Sequence, residues 1–365
     1  ADLFVSGGGS LLQDATSFRS LAYYATLMLL AHRAGCRVMV YANGLGPLRA
    51  ARSRRLALRA LRRADSITLR DTLSLATLRG LSPSLAQRTE LTADPALSLH
   101  AASAQEVARL REDLGLMGRR FVVVSLRPWG SFPQSEREMA RVIDHIAASG
   151  LTPVLLPMHL PGDAEIAHRV LSFCQSTIIN PATAVAQRSR LARSLLAAQE
   201  LSEEGGCADI QPPAGFGSET VPDQADDLAT ADEANGLAAS ASPVPIVVEH
   251  LLTPALFAGL LGEAELVVSM RLHALILAYA RAVPALGVVY DPKVEGFMRD
   301  VDLPLGPPWP ALTATVVNDQ VDQLLAQRDQ ISEQMQQRLG TLLPRVRRNA
   351  QLAVELARRE MPHRG

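Results

Sequence analysis

Short runs of aliphatic and β-branched residues alternate along this chain with longer stretches whose apolar residues recur at three- and four-residue intervals. The first pattern reads as buried strands and the second as helices packed on one face. Strands are predicted at Ala1–Val5, Arg37–Tyr41, Ser66–Leu69, Phe121–Leu126, Thr152–Pro157, Ile246–Val248, Leu266–Ser269 and Pro284–Tyr290. Helices are predicted over Leu21–Ala34, Arg52–Arg63, Glu136–Ala148 and Leu272–Arg281, the last from the spacing of Leu272, Leu275, Ile276 and Tyr279. Thr253 and Pro254 supply an N-cap and first helical residue for another, with Leu256, Leu260 and Leu261 on its packed face. Asn43–Pro47 reads as a turn, Met158–Asp163 as a loop and Trp309–Leu312 as a connector. Val316–Glu360 reads as mostly helical, with Pro344 kinking or dividing it.

Strand and helix alternate, which predicts an α/β fold, and 365 residues suffice for two such domains. The expected boundaries are an N-terminal domain over 1–100, a second domain over 101–315 opened by a linking helix near Ala104, and C-terminal helices over 316–365. One segment breaks the alternation. Gln199–Pro243 is rich in Ala, Gly, Ser, Pro, Asp and Glu, and no Lys or Arg occurs between Arg193 and Arg271. Its scattered apolar residues cannot offset the entropy of ordering it, so it reads as a disordered insertion at 199–243.

Composition excludes several functions. The net charge of −1 gives no global attraction to nucleic acid or anionic lipid. No run of about 18 apolar residues predicts a membrane span. Cys36, Cys174 and Cys207 lie far apart, without metal-ligand or disulfide-framework spacing. A reducing cytoplasm fits, and no metal is expected.

The chemistry concentrates between Glu263 and Asp300. Arg271 and His273 sit where a buried strand meets an apolar helix. Such a junction offers unpaired N–H groups and the positive end of the helix dipole, which suits an anion. Arg271 adds a planar fork that matches phosphate or carboxylate, and His273 a group that exchanges protons near neutral pH. Two residues apart on a regular helix, their side chains would diverge by about 200°; they converge only if the turn includes Leu272 or its neighbour. A surface salt bridge and a half-buried histidine would account for the same residues. Lys293, after the strand that ends at Tyr290, is the only lysine in a chain that otherwise uses arginine. Its isolation points to a position where a compact ammonium matters.

Two further stretches carry candidates. Gly7, Gly8, Gly9 and Ser10 follow the first strand, where glycines let backbone approach a ligand closely, although a plain tight turn needs them equally. Asp14, Thr16 and Ser17 precede a helix and can each cap it; Asp14 can also serve as a general base or accept a sugar hydroxyl. Arg127 follows the Phe121–Leu126 strand, and an Arg at the carboxyl end of a strand in an open α/β sheet faces the ligand crevice. A solvated surface arginine is the alternative. Arg70-Asp71-Thr72 reads as a helix-opening pair.

Met270-Arg271-Leu272-His273-Ala274-Leu275, Tyr290-Asp291-Pro292-Lys293-Val294 and Gly7-Gly8-Gly9-Ser10-Leu11-Leu12-Gln13-Asp14-Ala15-Thr16-Ser17 resemble the polysaccharide pyruvyltransferase family, in particular its CsaB-type branch. The pattern differs at Asn43 and His159, where that family leads us to expect Gln. The resemblance implies a GT-B-like arrangement of two Rossmann-like domains, with the final helix returning to the first. It implies transfer of a pyruvyl group from phosphoenolpyruvate to a sugar of a bacterial cell-envelope polysaccharide, giving a 4,6-ketal, with phosphoenolpyruvate as donor substrate and no cofactor. The implied acceptor is a glycan, lipid-linked or free, such as an N-acetylmannosamine unit of a cell-wall or S-layer-anchoring polymer, met in the cytoplasm at the inner face of the membrane. Arg271 and Arg127 would bind the donor with Lys293 and the Gly7–Ser10 turn, His273 would be the general acid, and Asp14 would activate the acceptor. Because relatives carry further Rossmann-type units before this point, the first domain is expected to be truncated at its N-terminus and to expose a sheet edge. The rival readings are a GT-B glycosyltransferase using a nucleotide sugar, with Glu249 or Asp291 holding the ribose, and a non-catalytic truncated paralogue.

Overall fold

The computed structural model describes residues 2–15, 17–175 and 243–358. Thr16 and the predicted insertion, apart from Pro243, lie outside the described residues.

Two parallel sheets organise the chain. The first contains β1 (Leu3–Ser6), β2 (Gly9–Leu12), β3 (Arg37–Leu45), β4 (Ser66–Leu69) and β5 (Thr89–Leu91), in the order β1-β3-β4-β5 with β2 also paired to β3. Its helices are α1 (Phe18–Arg33), α2 (Ala51–Arg62), α3 (Thr72–Leu81) and α4 (Pro83–Gln87). A 3₁₀ turn, Pro95–Ser98, and α5 (Ala104–Asp113) lead to the second sheet. That sheet runs β11-β10-β9-β6-β7-β8. Its strands are β6 (Phe121–Ser125), β7 (Thr152–Leu155), β8 (Ile246–Val247), β9 (Leu266–Ser269), β10 (Ala285–Val289) and β11 (Leu305–Pro308). The helices are α6 (Pro133–Ala148), α7 (Gly162–Leu171), α8 (Pro254–Gly262), α9 (Leu272–Ala280), α10 (Pro292–Asp300), α11 (Ala314–Ala326) and α12 (Arg328–Arg358).

Burial explains why the central strands are uninterrupted apolar runs. Val122–Val124 and Leu266–Val268 have both faces covered by helices, so every side chain enters a core. In α9, Ala274–Tyr279 are all buried, because the helix is wedged between the second sheet and the Pro95–Ser98 turn. A helix enclosed on all sides is apolar all round.

Several elements differ from expectation. Strand β3 continues through Asn43 and Gly44, where a turn is predicted, because its carboxyl half pairs with both β2 and β4. Strands β2 and β11 were hidden by their glycine and proline content; β11 lies at the sheet edge, where proline is tolerated. The predicted Met158–Asp163 loop ends early, since α7 begins at Gly162. Pro344 lies inside the 31-residue α12, and the helical region is instead divided at Gln327. There the chain leaves α11, which packs on α6 and the second sheet, and crosses towards the first.

Helix α12 binds the first sheet through specific polar contacts. Asn349, fully buried, accepts from the hydroxyls of Thr68 (2.6 Å) and Thr92 (2.9 Å) and donates to the Ala93 carbonyl (3.1 Å). Arg37 donates to the Leu356 carbonyl (2.8 Å). The two sheets also meet through α10 and α3. Asp300 accepts from the Thr72 N–H (2.8 Å) and hydroxyl, and Gly296 lies against Leu73, leaving only 3.2 Å for a Cβ. A carboxylate is favourable at the N-terminus of α3, so this contact joins the halves at little electrostatic cost. Strand β1 is an edge of its sheet, and Val5, Tyr23 and Leu30 are exposed. Among the described residues no helix is long and apolar enough to cross a membrane.

Candidate active site

Parallel strands deliver the residues that follow them to one end of a sheet, and ligand crevices form there. Arg70 follows β4, Arg127 follows β6, Arg271 follows β9, and Tyr290 and Asp291 follow β10. Basic groups from both sheets are thereby brought to one cleft.

Arg271 is the N-cap of α9, with extended backbone (φ −81°, ψ 115°). Because the helix begins one residue later, Arg271 and His273 escape the divergence of a regular helix. Its N–H donates to Ser269 Oγ (2.8 Å), and no side chain caps α9, so the first-turn N–H groups stay available. The guanidinium pairs through Nη2 with Asp163. Asp163, 2% exposed, accepts from the N–H groups of Met158 and His159 through its other oxygen, each at 3.0 Å. Arg271 Nε is buried and has no partner among the described residues. His159 itself is exposed and enters this network through its backbone.

His273 is exposed in the first turn of α9, yet protein crowded around its ring partly desolvates it. That desolvation pushes its pKa below the ordinary imidazole value. Arg70, Lys293 and Arg271 push the same way, and Asp94 opposes them. In the free protein the ring is thus held below its ordinary value, by desolvation first and then by three cations against one carboxylate.

Lys293 lies in the first turn of α10, its Nζ 3.5 Å from Asp291. Burial lowers its pKa, with Arg127 and Arg70 adding to the shift and Asp291 opposing it. Arg127 donates to Tyr290 Oη (3.1 Å) and lies over the rings of Tyr290 and Trp129, 5.3 and 5.7 Å from their centroids. It has no carboxylate partner among the described residues. Tyr290 has a raised pKa, from burial first and then Asp291, against the pull of Arg127 and Arg271.

The first sheet contributes Arg70, which the sequence suggested only as part of a helix cap. Arg70 is 9% exposed and pairs with Asp94 at 2.6 Å; its Nη2 donates to Ser10 Oγ (3.2 Å). Gly44 makes room for it: a Cβ there would lie 2.8 Å from Ser10 Oγ and 3.1 Å from Arg70 Nη2. Of the glycine-rich stretch, Ser10 joins this cluster. The Gly7 carbonyl accepts from Asn43 Nδ2 (3.1 Å), Gly8 lies near the Ala42 carbonyl, and Gly9 takes a positive φ of 95° on entering β2.

Asp14 is committed elsewhere. One carboxylate oxygen accepts from the Arg49 N–H (2.9 Å) and the other from the Ala50 N–H (3.0 Å), closing the turn that enters α2. Burial tends to raise its pKa, but these bonds, with the Ser53 hydroxyl and the Arg49 charge, bring it below the usual value. Ser17, not Asp14, caps α1. Glu249 pairs with His168 at 2.9 Å, and Asp291 caps α10.

Each carboxylate beside the bases is tied to one of them: Asp94 and Asp71 to Arg70, Asp163 to Arg271 and Asp291 to Lys293. Arg127, without a carboxylate partner among the described residues, and the uncapped N-terminus of α9 are the positive groups left to meet a small anion. Asp163, Tyr290, Arg70 and Asp94 were not among the candidates. Arg70 was open to the strand-end argument that found Arg127; Asp94 was not, because β5 before it was not predicted. Asp163 carried no such signal, since its helix start was read as loop. Among the described residues no group of three or more His, Cys, Asp or Glu is placed to hold a metal ion.

Solved structures share the fold. A UDP-N-acetylglucosamine 2-epimerase aligns with a TM-score of 0.53 at 13% identity, over 100% of this chain and 75% of its own. A putative UDP-N-acetylglucosamine 2-epimerase from Listeria monocytogenes gives 0.51 at 12% identity, over 92% and 68%. Anabaena Alr3699/HepE in complex with UDP and glucose gives 0.51 at 13% identity, over 98% and 78%. At these identities the likeness shows the fold alone, which is GT-B. No curated protein matches the sequence. The family model for polysaccharide pyruvyl transferase matches residues 1–194 and 221–292. Its unmatched stretch, 195–220, is shorter than the predicted insertion, and the match stops one residue before Lys293. It covers most of the chain, including Gly7–Ser10, Arg70, Arg127, Arg271 and His273: the chain belongs to the polysaccharide pyruvyl transferase family.

Proposed function

We propose that the protein transfers the pyruvyl group of phosphoenolpyruvate to a saccharide of a bacterial cell-envelope polymer, forming a 4,6-ketal as in the CsaB-type branch. The observation that carries this reading is the convergence of Arg127, Arg271 and Lys293 beside His273, with Arg271 Nε unpartnered among the described residues and the α9 N-terminus uncapped. Phosphoenolpyruvate carries a phosphate and a carboxylate, and this cluster supplies a fork or point charge for each.

The reaction needs a proton delivered to the methylene carbon of the donor, which makes C2 electrophilic. Two sugar hydroxyls then form bonds to C2 while the C2–O bond to phosphate breaks. One hydroxyl proton replaces the proton given to the methylene and the other leaves with phosphate, so no redox partner or cofactor is needed. His273 is the general acid in this scheme. Neutral in the free protein at pH 7, it takes up a proton as the donor's two anions enter and reverse the local field. Arg271, Arg127 and Lys293 hold the donor, and the acceptor is met at the cytoplasmic face of the membrane.

The experiment is phosphate release from phosphoenolpyruvate in the presence of saccharide acceptors with free 4- and 6-hydroxyls, with the ketal identified by mass spectrometry. Release of a nucleoside diphosphate from a nucleotide sugar, with phosphoenolpyruvate inert, would instead assign a glycosyltransferase.

A further inference from the structure

Beside the basic cluster lies a second cavity, of about 210 Å³, between the carboxyl end of β3 and the first turns of α3 and α10. One ordered water needs only about 10–15 Å³ of such space, so the cavity has room for a ring-sized ligand. Its walls differ from the neighbouring cluster in charge. Asp71, Asp291 and Lys293 line it, two acids against one base, together with the hydroxyl residues Ser10, Ser74 and Thr77. Gly44–Pro47 and Leu73 add apolar surface.

We propose that this cavity binds the acceptor as a neutral saccharide. The assignment rests on the pyruvyl-transfer reading and extends it by giving donor and acceptor separate seats. A phosphate or carboxylate is repelled by Asp71 and Asp291 and drawn to Arg127 and Arg271. A neutral polyol pays no such penalty and finds carboxylate and hydroxyl acceptors for its own hydroxyls, with apolar surface for a ring face. Lys293 belongs to both sites, lining the cavity while Arg127 acts on it from the donor side. It therefore marks where a sugar hydroxyl meets the donor carbon. Ser10 on the first sheet, bonded to Arg70 through its Oγ, and Asp291 and Lys293 after the second sheet's β10 line it together, so both sheets contribute to the seat.

Saturation-transfer NMR with methyl β-D-galactopyranoside, a neutral hexoside with free 4- and 6-hydroxyls, tests this on the full chain, with and without phosphoenolpyruvate. Thr77→Trp fills the cavity from α3, and Thr77→Leu is a milder filling should the larger side chain fail to fold. The expected result is transfer to the hexoside in the wild type, reduced about tenfold or more by filling as for an occluded pocket, with calorimetric phosphoenolpyruvate binding unchanged. No transfer in the wild type, or transfer that survives filling in a folded variant, overturns the assignment. Hexoside binding without phosphoenolpyruvate binding would leave the cavity a saccharide site and remove the donor reading.

Discussion

Asp163 and Arg271 form an ion pair in which each partner is fixed by something else: the carboxylate by two loop N–H groups, the arginine by its place at the start of α9. Asp163 thereby orients the guanidinium while leaving its Nε without a partner among the described residues. Removing one partner of so buried a pair typically costs about 3–5 kcal/mol. Asp163→Ala should lower stability by about 3 kcal/mol. Adding Arg271→Ala to it should cost less than Arg271→Ala alone, because the buried charge is then already unpaired. A thermal-denaturation double-mutant cycle measures this, and additive effects would mean that the pair is not coupled.

His273 and Arg271 should fail in different ways. Loss of a general acid lowers turnover by about 10²–10⁴-fold, so His273→Ala should do so while donor binding remains measurable. Arg271→Ala should weaken donor binding itself by about 10–100-fold, as expected for a hydrogen bond between charged groups. Near-normal turnover in His273→Ala would leave the motif with anion binding only.

Donor binding should take up a proton. In the free protein, burial and three neighbouring cations hold the His273 pKa below its ordinary value; in the complex two anions raise it. Between those two values the free protein is neutral at His273 and the complex charged. Affinity should strengthen as pH falls through that window and level off once the free protein is itself protonated. Calorimetry in buffers of different ionisation enthalpy reads the uptake directly. An uptake that persists in His273→Ala assigns the proton to another group.

Asp14 and Gly44 test structural roles. Asp14→Asn keeps an acceptor for the Arg49 or Ala50 N–H but loses the charge, so it should cost about 1 kcal/mol, as for a weakened helix-entry cap, and change turnover by less than about tenfold, below the usual contribution of a general base. Gly44→Ala places a methyl group against Ser10 Oγ and Arg70 and should cost about 1–3 kcal/mol as overpacking. Denaturation midpoints and phosphate-release rates separate the two effects.

The fold class and most elements were legible because central strands buried on both faces must be apolar throughout; β4 and β9 match their predicted limits. Of the strands that escaped, β2 and β11 carry glycine or proline, and β5 is a three-residue edge strand too short for a pattern. Arg271, His273, Arg127 and Lys293 were readable from their positions at strand ends and helix starts. Arg70 was open to the same argument, since it follows a predicted strand, whereas Asp94 follows the short strand β5, which carried no signal. The charges that act on His273 in the free protein were not legible either: three of the four lie outside its own motif.

The central claim is that the basic cluster is a phosphoenolpyruvate site. Calorimetric titration of the full chain with phosphoenolpyruvate tests it most directly. The account predicts one donor bound per chain, with affinity weakened in Arg271→Ala and in Arg127→Ala and retained in Asp14→Asn. Absence of binding by a folded wild type, or binding indifferent to both arginine substitutions, would contradict it.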